Sequence, residues 1–225
     1  MRKSICVLLL IGTAGLEASS RNNGGWAVVT VDDLPDYVVA GQPFQLSFVV
    51  RQHGMTPIDG LQPVIDAKLA TSIISLKAKH ATDSGHYAAT LNLTRAGDWT
   101  VTIQSGFGVQ STTQVPLRVV EGGASPRALS DIERGRRLFI AKGCFTCHVN
   151  TEVTNARSLS AGPELTGRRY PPAPLAKFLS NPDSFPLTQV ARPSWVKMPT
   201  LGLKDREIAS LVAMINNGGR DVSAR

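Results

Sequence analysis

Five consecutive residues carry the most specific chemistry in this sequence: Cys144-Phe145-Thr146-Cys147-His148. Two thiols three positions apart, with an imidazole directly after the second, form the spacing that attaches a c-type haem covalently. On one helical turn, positions i, i+3 and i+4 share a face. Both thiols then reach one porphyrin and the imidazole reaches its iron. A Cys-x-x-Cys pair also serves as a redox dithiol or as half of a zinc site. The adjoining His148 and the lack of a second Cys/His cluster favour haem over both. Of the 3 cysteines, the third is Cys6, so no pair remains for a structural disulfide.

A second group of chemically capable residues lies earlier in the chain: His53 with Met55, then His80 and His86. Histidine and methionine suit copper. Their spacing defines no tight ligand set, and the plainer reading is surface and loop residues.

The elements that must position these groups follow from pattern. At 225 residues the chain fits two small domains. Residues 1–20 read as a secretory signal peptide: Arg2 and Lys3, an apolar run from Ile5 to Ile11, then small residues at Ala14, Gly15, Ala18, Ser19 and Ser20. Cleavage after Ala18 or Ser20 and retention as an anchor both remain open. Cys6 lies within this segment. Residues 21–121 alternate with a period of two, as in Phe44, Leu46, Phe48 and Val50, then Tyr87, Ala89, Leu91 and Leu93, then Trp99, Val101 and Ile103. Turn signals separate the runs at Ala40-Gly41-Gln42-Pro43, Asp83-Ser84-Gly85 and Arg95-Ala96-Gly97-Asp98. About seven short strands in such a length predict an immunoglobulin-like sandwich. Residues 122–129 read as a linker rich in small residues. From 130 the period changes: Ser130-Asp131-Ile132-Glu133 is a capping box, and Ile208, Leu211, Val212 and Ile215 recur as one helix face over about 205–216. Gly135 inside the first helix predicts close approach of the last one, since glycine there costs about 1 kcal/mol relative to alanine.

Charge divides along the same boundary. The net charge is +7; residues 126–225 hold 15 Lys and Arg against 8 Asp and Glu, whereas residues 21–125 hold 7 against 8. The plain reading is solvated surface. The functional one is a basic face that steers an acidic redox partner. The bases are dispersed and no binding motif accompanies them, so nucleic acid is not an expected partner.

Two resemblances sharpen these readings. Ala40-Gly41-Gln42-Pro43-Phe44, Gly85-His86-Tyr87 and Gly97-Asp98-Trp99 resemble the YtkA-like immunoglobulin-type domains of bacterial exported proteins, over most of residues 25–121. Residues 130–217 resemble a class I, mono-haem cytochrome c domain. Gly135 and Leu138-Phe139 precede the Cys144–His148 motif, Gly162-Pro163-Glu164-Leu165-Thr166-Gly167 follows it, and Met198-Pro199 stands before the last helix. Met214 departs from the aromatic residue of many members. The resemblance implies that the Pro163 carbonyl orients His148 and that Met198 is the distal iron ligand. Chemistry points the same way for Met198: a thioether raises the potential of a histidine-ligated iron, Met55 lies in the other segment, and Met214 falls within a helix core. Trp195, Tyr170 and Arg169 are further haem-pocket candidates, with ordinary surface or lid packing an equal reading for each.

The expected architecture is therefore multidomain: an all-β immunoglobulin-like sandwich over 21–121, followed by an all-α cytochrome c haem domain over 130–225. The expected function is one-electron transfer through one covalently bound haem c, by a carrier rather than a catalyst. The setting would be periplasmic, soluble or peripherally membrane-associated, with redox proteins or a membrane respiratory complex as partners. Two alternatives stand beside it: a haem sensor or ligand-binding enzyme with an open sixth site, and a copper-handling or assembly protein using the β-sandwich.

Overall fold

The computed structural model describes residues 25–108, 112–185 and 197–217. The expected signal peptide, Cys6 and Trp195 lie outside the described residues. The first part of the chain forms ten strands: β1 (Ala27–Val31), β2 (Val38–Val39), β3 (Pro43–Gln52), β4 (Thr56–Pro57), β5 (Val64–Leu69), β6 (Ser72–Lys77), β7 (Lys79–His80), β8 (His86–Asn92), β9 (Gly97–Gln104) and β10 (Thr112–Val120). They build two sheets. One runs β1-β3-β8-β7 with β4 paired to β3, and the other runs β2-β10-β9-β5-β6. Every pairing is antiparallel except that of β2 with β10. The shared core comes from alternate positions of both sheets, among them Phe48, Tyr87 and Leu91 against Ile65, Trp99, Val101 and Val115. Buried polar tips find partners: the Tyr87 hydroxyl donates to Ile58 O at 2.8 Å and accepts from Leu61 N, and Trp99 Nε1 donates to Arg95 O.

Residues 121–130 carry no helix or strand. Four helices follow: α1 (Asp131–Ala141), α2 (Cys144–Cys147), α3 (Pro172–Ser180) and α4 (Asp205–Asn217), with a 3-10 turn at Pro182–Ser184. The capping box forms as its residue types require: Glu133 N donates to Ser130 Oγ at 3.2 Å, and Ser130 N donates to Glu133 Oε2 at 2.8 Å. At the start of α4, Glu207 reaches back to accept from Lys204 N at 3.0 Å. Helices α1 and α4 meet where Gly135 lacks a side chain. A Cβ there would collide with Ser210 O and lie 2.5 Å from Met214 Cβ.

The expected fold class requires correction. The described residues are mostly β-sheet with four short helices, and they contain no all-α domain. The physical reason is visible on β1. Its inward residues Ala27, Val29 and Val31 join the sheet core, yet its outward residues Val28 and Thr30 are buried as well. In register with them on β3 stand Arg51 and Val49, and Val49 is also buried. A face of this kind would meet water in a free-standing domain. Covering Val28 is worth about 1.5–3 kcal/mol, and Gly143 of the helical segment packs directly against it. Ala141, the last residue of α1, belongs to the core of the two sheets. Thr30 Oγ1 donates to Lys142 O at 3.4 Å.

Ionic contacts fix the same junction. Arg134, whose side chain is 9% exposed, pairs through Nε and Nη2 with both oxygens of Asp36 at 2.8 Å. Its Nη1 donates to Asp131. Arg137 donates to the carbonyls of Pro35, Asp36 and Pro116. Lys142 is buried, with Nζ 2.6 Å from Asp32 O and 2.9 Å from Glu207 Oε1. Lys204 pairs with Asp33, and Arg206 pairs with Asp36. The hydrogen bonds from Arg134 hold the Asp36 carboxyl below its ordinary range, against burial. Five of the basic residues that looked like surplus charge thus answer carboxylates and carbonyls within the chain.

Candidate functional site

Gly143 opens the site. It has φ +74°, a left-handed conformation that favours glycine, and a Cβ there would lie 2.5 Å from Val28 Cγ1 and 2.6 Å from Val29 O. The chain therefore turns sharply off α1 directly against β1. The four-residue helix α2 follows and presents Cys144 and Cys147 as free thiols. His148 N donates to Cys144 O at 2.9 Å, after which the backbone becomes extended. Burial raises the Cys144 thiol to about 12, with the neighbouring Cys147 adding to it, and burial raises Cys147 to about 11. Both are held as protonated thiols, not reactive thiolates.

The His148 ring is fixed from two sides. Its Nδ1 lies 2.9 Å from Pro163 O. A carbonyl oxygen only accepts, so Nδ1 carries the proton and Nε2 keeps a free lone pair. The ring rests on Gly162, where a Cβ would lie 2.6 Å from Nδ1 and 2.9 Å from Nε2. Burial pushes the His148 pKa down, and the bond to Pro163 opposes that. The neutral tautomer with Nε2 unprotonated is the one favoured by this arrangement. The loop from 149 to 167 is held to the motif by backbone bonds: Leu159 N to Thr146 O, Gly162 N to Cys147 O and Leu165 N to Val149 O, all 2.8–2.9 Å.

Met198 and Tyr170 pack, together with Cys144, against one apolar cluster that includes Leu138, Phe145, Leu165, Leu179 and Leu211. Tyr170 is further held by its backbone N–H, which donates to Asn216 Oδ1 at 2.8 Å. Met214 is fully buried in the same cluster, with Asn150 Nδ2 3.9 Å from its sulfur. Arg169 is exposed. Cys144, Cys147, His148 and Pro163 thus form one contiguous group, Met198 and Tyr170 share its apolar surround, and Arg169 contributes no buried contact.

Two residues near the Met198 segment carry no motif. Asp183 pairs with Lys197 and accepts from Thr200 Oγ1 at 2.9 Å, so one carboxylate grips both flanks of Met198-Pro199. Gly54 lies beside Pro199: a Cβ there would be 3.9 Å from Pro199 Cγ and 3.5 Å from Val28 Cγ2. Nothing in local spacing marks either residue, because both act across the chain.

The donor set suits a haem in its chemistry: two thiols on one turn, an imidazole with a free Nε2, a thioether in the apolar surround, and a glycine under the imidazole where any side chain would displace it. The earlier histidines are engaged elsewhere. His53 packs on Trp26 with ring centres 5.4 Å apart, His80 Nε2 lies 2.9 Å from Asp59 Oδ1, and His86 Nδ1 donates to Ser84 O at 3.1 Å. Met55 is exposed. Among the described residues no three His, Cys, Asp or Glu side chains converge as a metal-ion site of their own. None of the described helices is long and apolar enough to cross a membrane.

No family description matches the sequence. No curated protein matches it either. Several solved structures do match. Trypsin-activated α2-macroglobulin from Escherichia coli is 14% identical, over 41% of this chain and 6% of its own, with a TM-score of 0.36. Domains 4 and 5 of the S-layer protein SbsC are 18% identical over 41% of this chain and 51% of theirs, with a TM-score of 0.30. The superoxide reductase (neelaredoxin) of Ignicoccus hospitalis is 14% identical over 41% and 80%, also with a TM-score of 0.30. Likenesses at this level carry no argument about fold or function.

Proposed function

We propose that this protein is an exported one-electron carrier with a single covalently attached haem c. Cys144 and Cys147 would hold the group, and His148 and Met198 would ligate its iron. When bound, the haem supplies reversible one-electron exchange at its iron, at a potential raised by thioether ligation. The observation that carries the reading is the state of His148. Its Nδ1–H is committed to Pro163 O at 2.9 Å and its ring is seated on Gly162, which leaves Nε2 as the free ligand atom. Pro163 also strengthens the imidazole as a donor, because an outer hydrogen bond raises ligand basicity. The apolar cluster that holds Leu165, with Cys144, Tyr170 and Met198 packed against it, gives the same region an apolar surround. No nucleophile or acid–base pair is needed for such a role.

Exposed basic residues on the helical segment, Arg157, Arg168, Arg169 and Lys177, are free of the junction that occupies Arg134, Arg137 and Lys142. They suit docking to an acidic redox protein or a membrane respiratory complex, weakened by salt. The resemblance of the Cys144–His148 and Gly162–Gly167 segments to mono-haem cytochromes c, and the leader-like first twenty residues, support the same setting outside the cytoplasmic membrane.

The test is expression of the full chain in a bacterium that matures c-type haem. The expected product keeps its haem after acid denaturation, gains the mass of one haem, and titrates as a one-electron couple. Recovery of unmodified chain with two free thiols rejects the reading. A haem-bearing product whose ferrous form binds CO rapidly, with no methionine-to-iron band in the oxidised spectrum, replaces the closed carrier by an open-site protein.

A further inference from the structure

Four residues stand in a row between the two segments assigned to the iron. Gly143 adjoins Cys144, and Pro199 adjoins Met198. Val28 Cγ1 faces Gly143, while Val28 Cγ2 and Pro199 Cγ both border the space that a Cβ on Gly54 would fill, 3.5 and 3.9 Å from it. Val28 is 5% exposed yet takes no part in the core between the sheets. Its side chain is thus spent entirely on the covered outer face, and each of its two methyl branches serves a different segment. The pattern continues along β1 and just past its end: Thr30 reaches Lys142 O, Asp32 O receives Lys142 Nζ, and Asp33 receives Lys204.

We infer that the outer face of β1 is a wall of the iron site, with Val28 a positioning residue that sets the spacing between the Cys144–His148 turn and the Met198 segment. This rests on the haem reading above and extends it. The two-sheet body is then a fixed part of the redox centre. Val28 touches no reacting atom. It acts through Gly143 on one side and through Gly54 and Pro199 on the other.

The experiment uses the full haem-bearing chain and free imidazole as a probe that competes with Met198 for the sixth position. Val28→Ala removes both branches. Imidazole should bind roughly tenfold more tightly, the equilibrium worth of two buried methyl groups, and the methionine-to-iron band should weaken while covalent haem is retained. Val31→Ala, an inward and fully buried residue of the same strand, should lower stability and leave imidazole affinity unchanged. Val28→Thr keeps both branches, so it should destabilise the fold through its buried hydroxyl yet bind imidazole like the unaltered chain. Equal imidazole affinities for Val28→Ala and Val31→Ala overturn the positioning role alone. A purified chain without covalent haem overturns both the carrier reading and this extension of it.

Discussion

The two segments that bear the proposed iron ligands are held by different physics. His148 is fixed by backbone hydrogen bonds and by contact with Gly162, groups that salt does not screen and that have few alternative conformations. Met198 sits between side-chain ties, Lys197 and Thr200 to Asp183 and Lys204 to Asp33, whose charged groups are 38–70% exposed. Exposed pairs of this kind contribute little each and weaken with ionic strength. The proximal half is therefore built as a rigid socket and the distal half as a fastened flap. If one half yields under stress, it should be the distal one. The two share an anchor in Asp36, which holds Arg134 on α1 and Arg206 on α4.

Cutting that anchor should give the largest effect. Asp36→Ala leaves the guanidinium of Arg134 buried without its main partner, which costs about 3–5 kcal/mol. The denaturant midpoint should fall for the helical segment and the sheets together, because the junction joins them. Two separated transitions would show that the halves do not share this anchor. Next in size is Gly162→Ala, which strikes only the socket. Its methyl cannot be placed without moving the His148 ring, at a cost of about 1–3 kcal/mol. Covalent haem should persist while the low-spin signature of the histidine-ligated iron is lost, and imidazole should restore it.

Much of this was legible in the sequence and some was not, for reasons that separate local from distant causes. The capping box at Ser130, the close approach at Gly135, and the alternating strands β3, β8 and β9 are local patterns, and each appears where its residue types put it. Strand β1 is different. Ala27-Val28-Val29-Thr30-Val31 does not alternate, and a run without alternation is the mark of a strand covered on both faces. That run carried the information that the helices would dock on the sheets, and with it the failure of the separate all-α domain. The charge imbalance is ambiguous for the same reason. Net charge per segment cannot say whether Arg134, Arg137, Lys142, Lys204 and Arg206 face a partner or face Asp32, Asp33, Asp36 and Glu207. At the site, the Cys144–His148 turn is a contiguous motif. Asp183 is not, since it meets Lys197 and Thr200 only after the chain has folded back.

The flap itself is tested by Asp183→Ala, with a smaller effect than either change above. It releases both flanks of Met198-Pro199 at once and leaves the socket intact. Imidazole should bind about two- to threefold more tightly at low salt. In the unaltered chain, raising salt to ~0.5 M should move the affinity toward that of the variant, and in the variant salt should do little. A salt effect of the same size in both would mean that these ties do not hold the flap.

The smallest effect on either half is expected from acid acting on Asp59, which belongs to neither. Its carboxylate accepts from Gly85 N at 2.6 Å, from His80 and from Ser84 Oγ at 3.0 Å, and these bonds, led by Gly85, bring its pKa down to about 2. A folded-state pKa below the unfolded value near 4 means that the unfolded chain binds the proton first. The stabilisation is then complete above about pH 4 and disappears as pH falls to about 2. Asp59→Asn should flatten the fall of the denaturation midpoint across that window. It should leave imidazole affinity at neutral pH where it was, because the Asp59 turn ties β8 to the loop after β4 and touches neither ligand segment. A shift in neutral-pH imidazole affinity on this substitution would show strain passing from this turn into the flap, and the contrast between a rigid socket and a locally fastened flap would then fail.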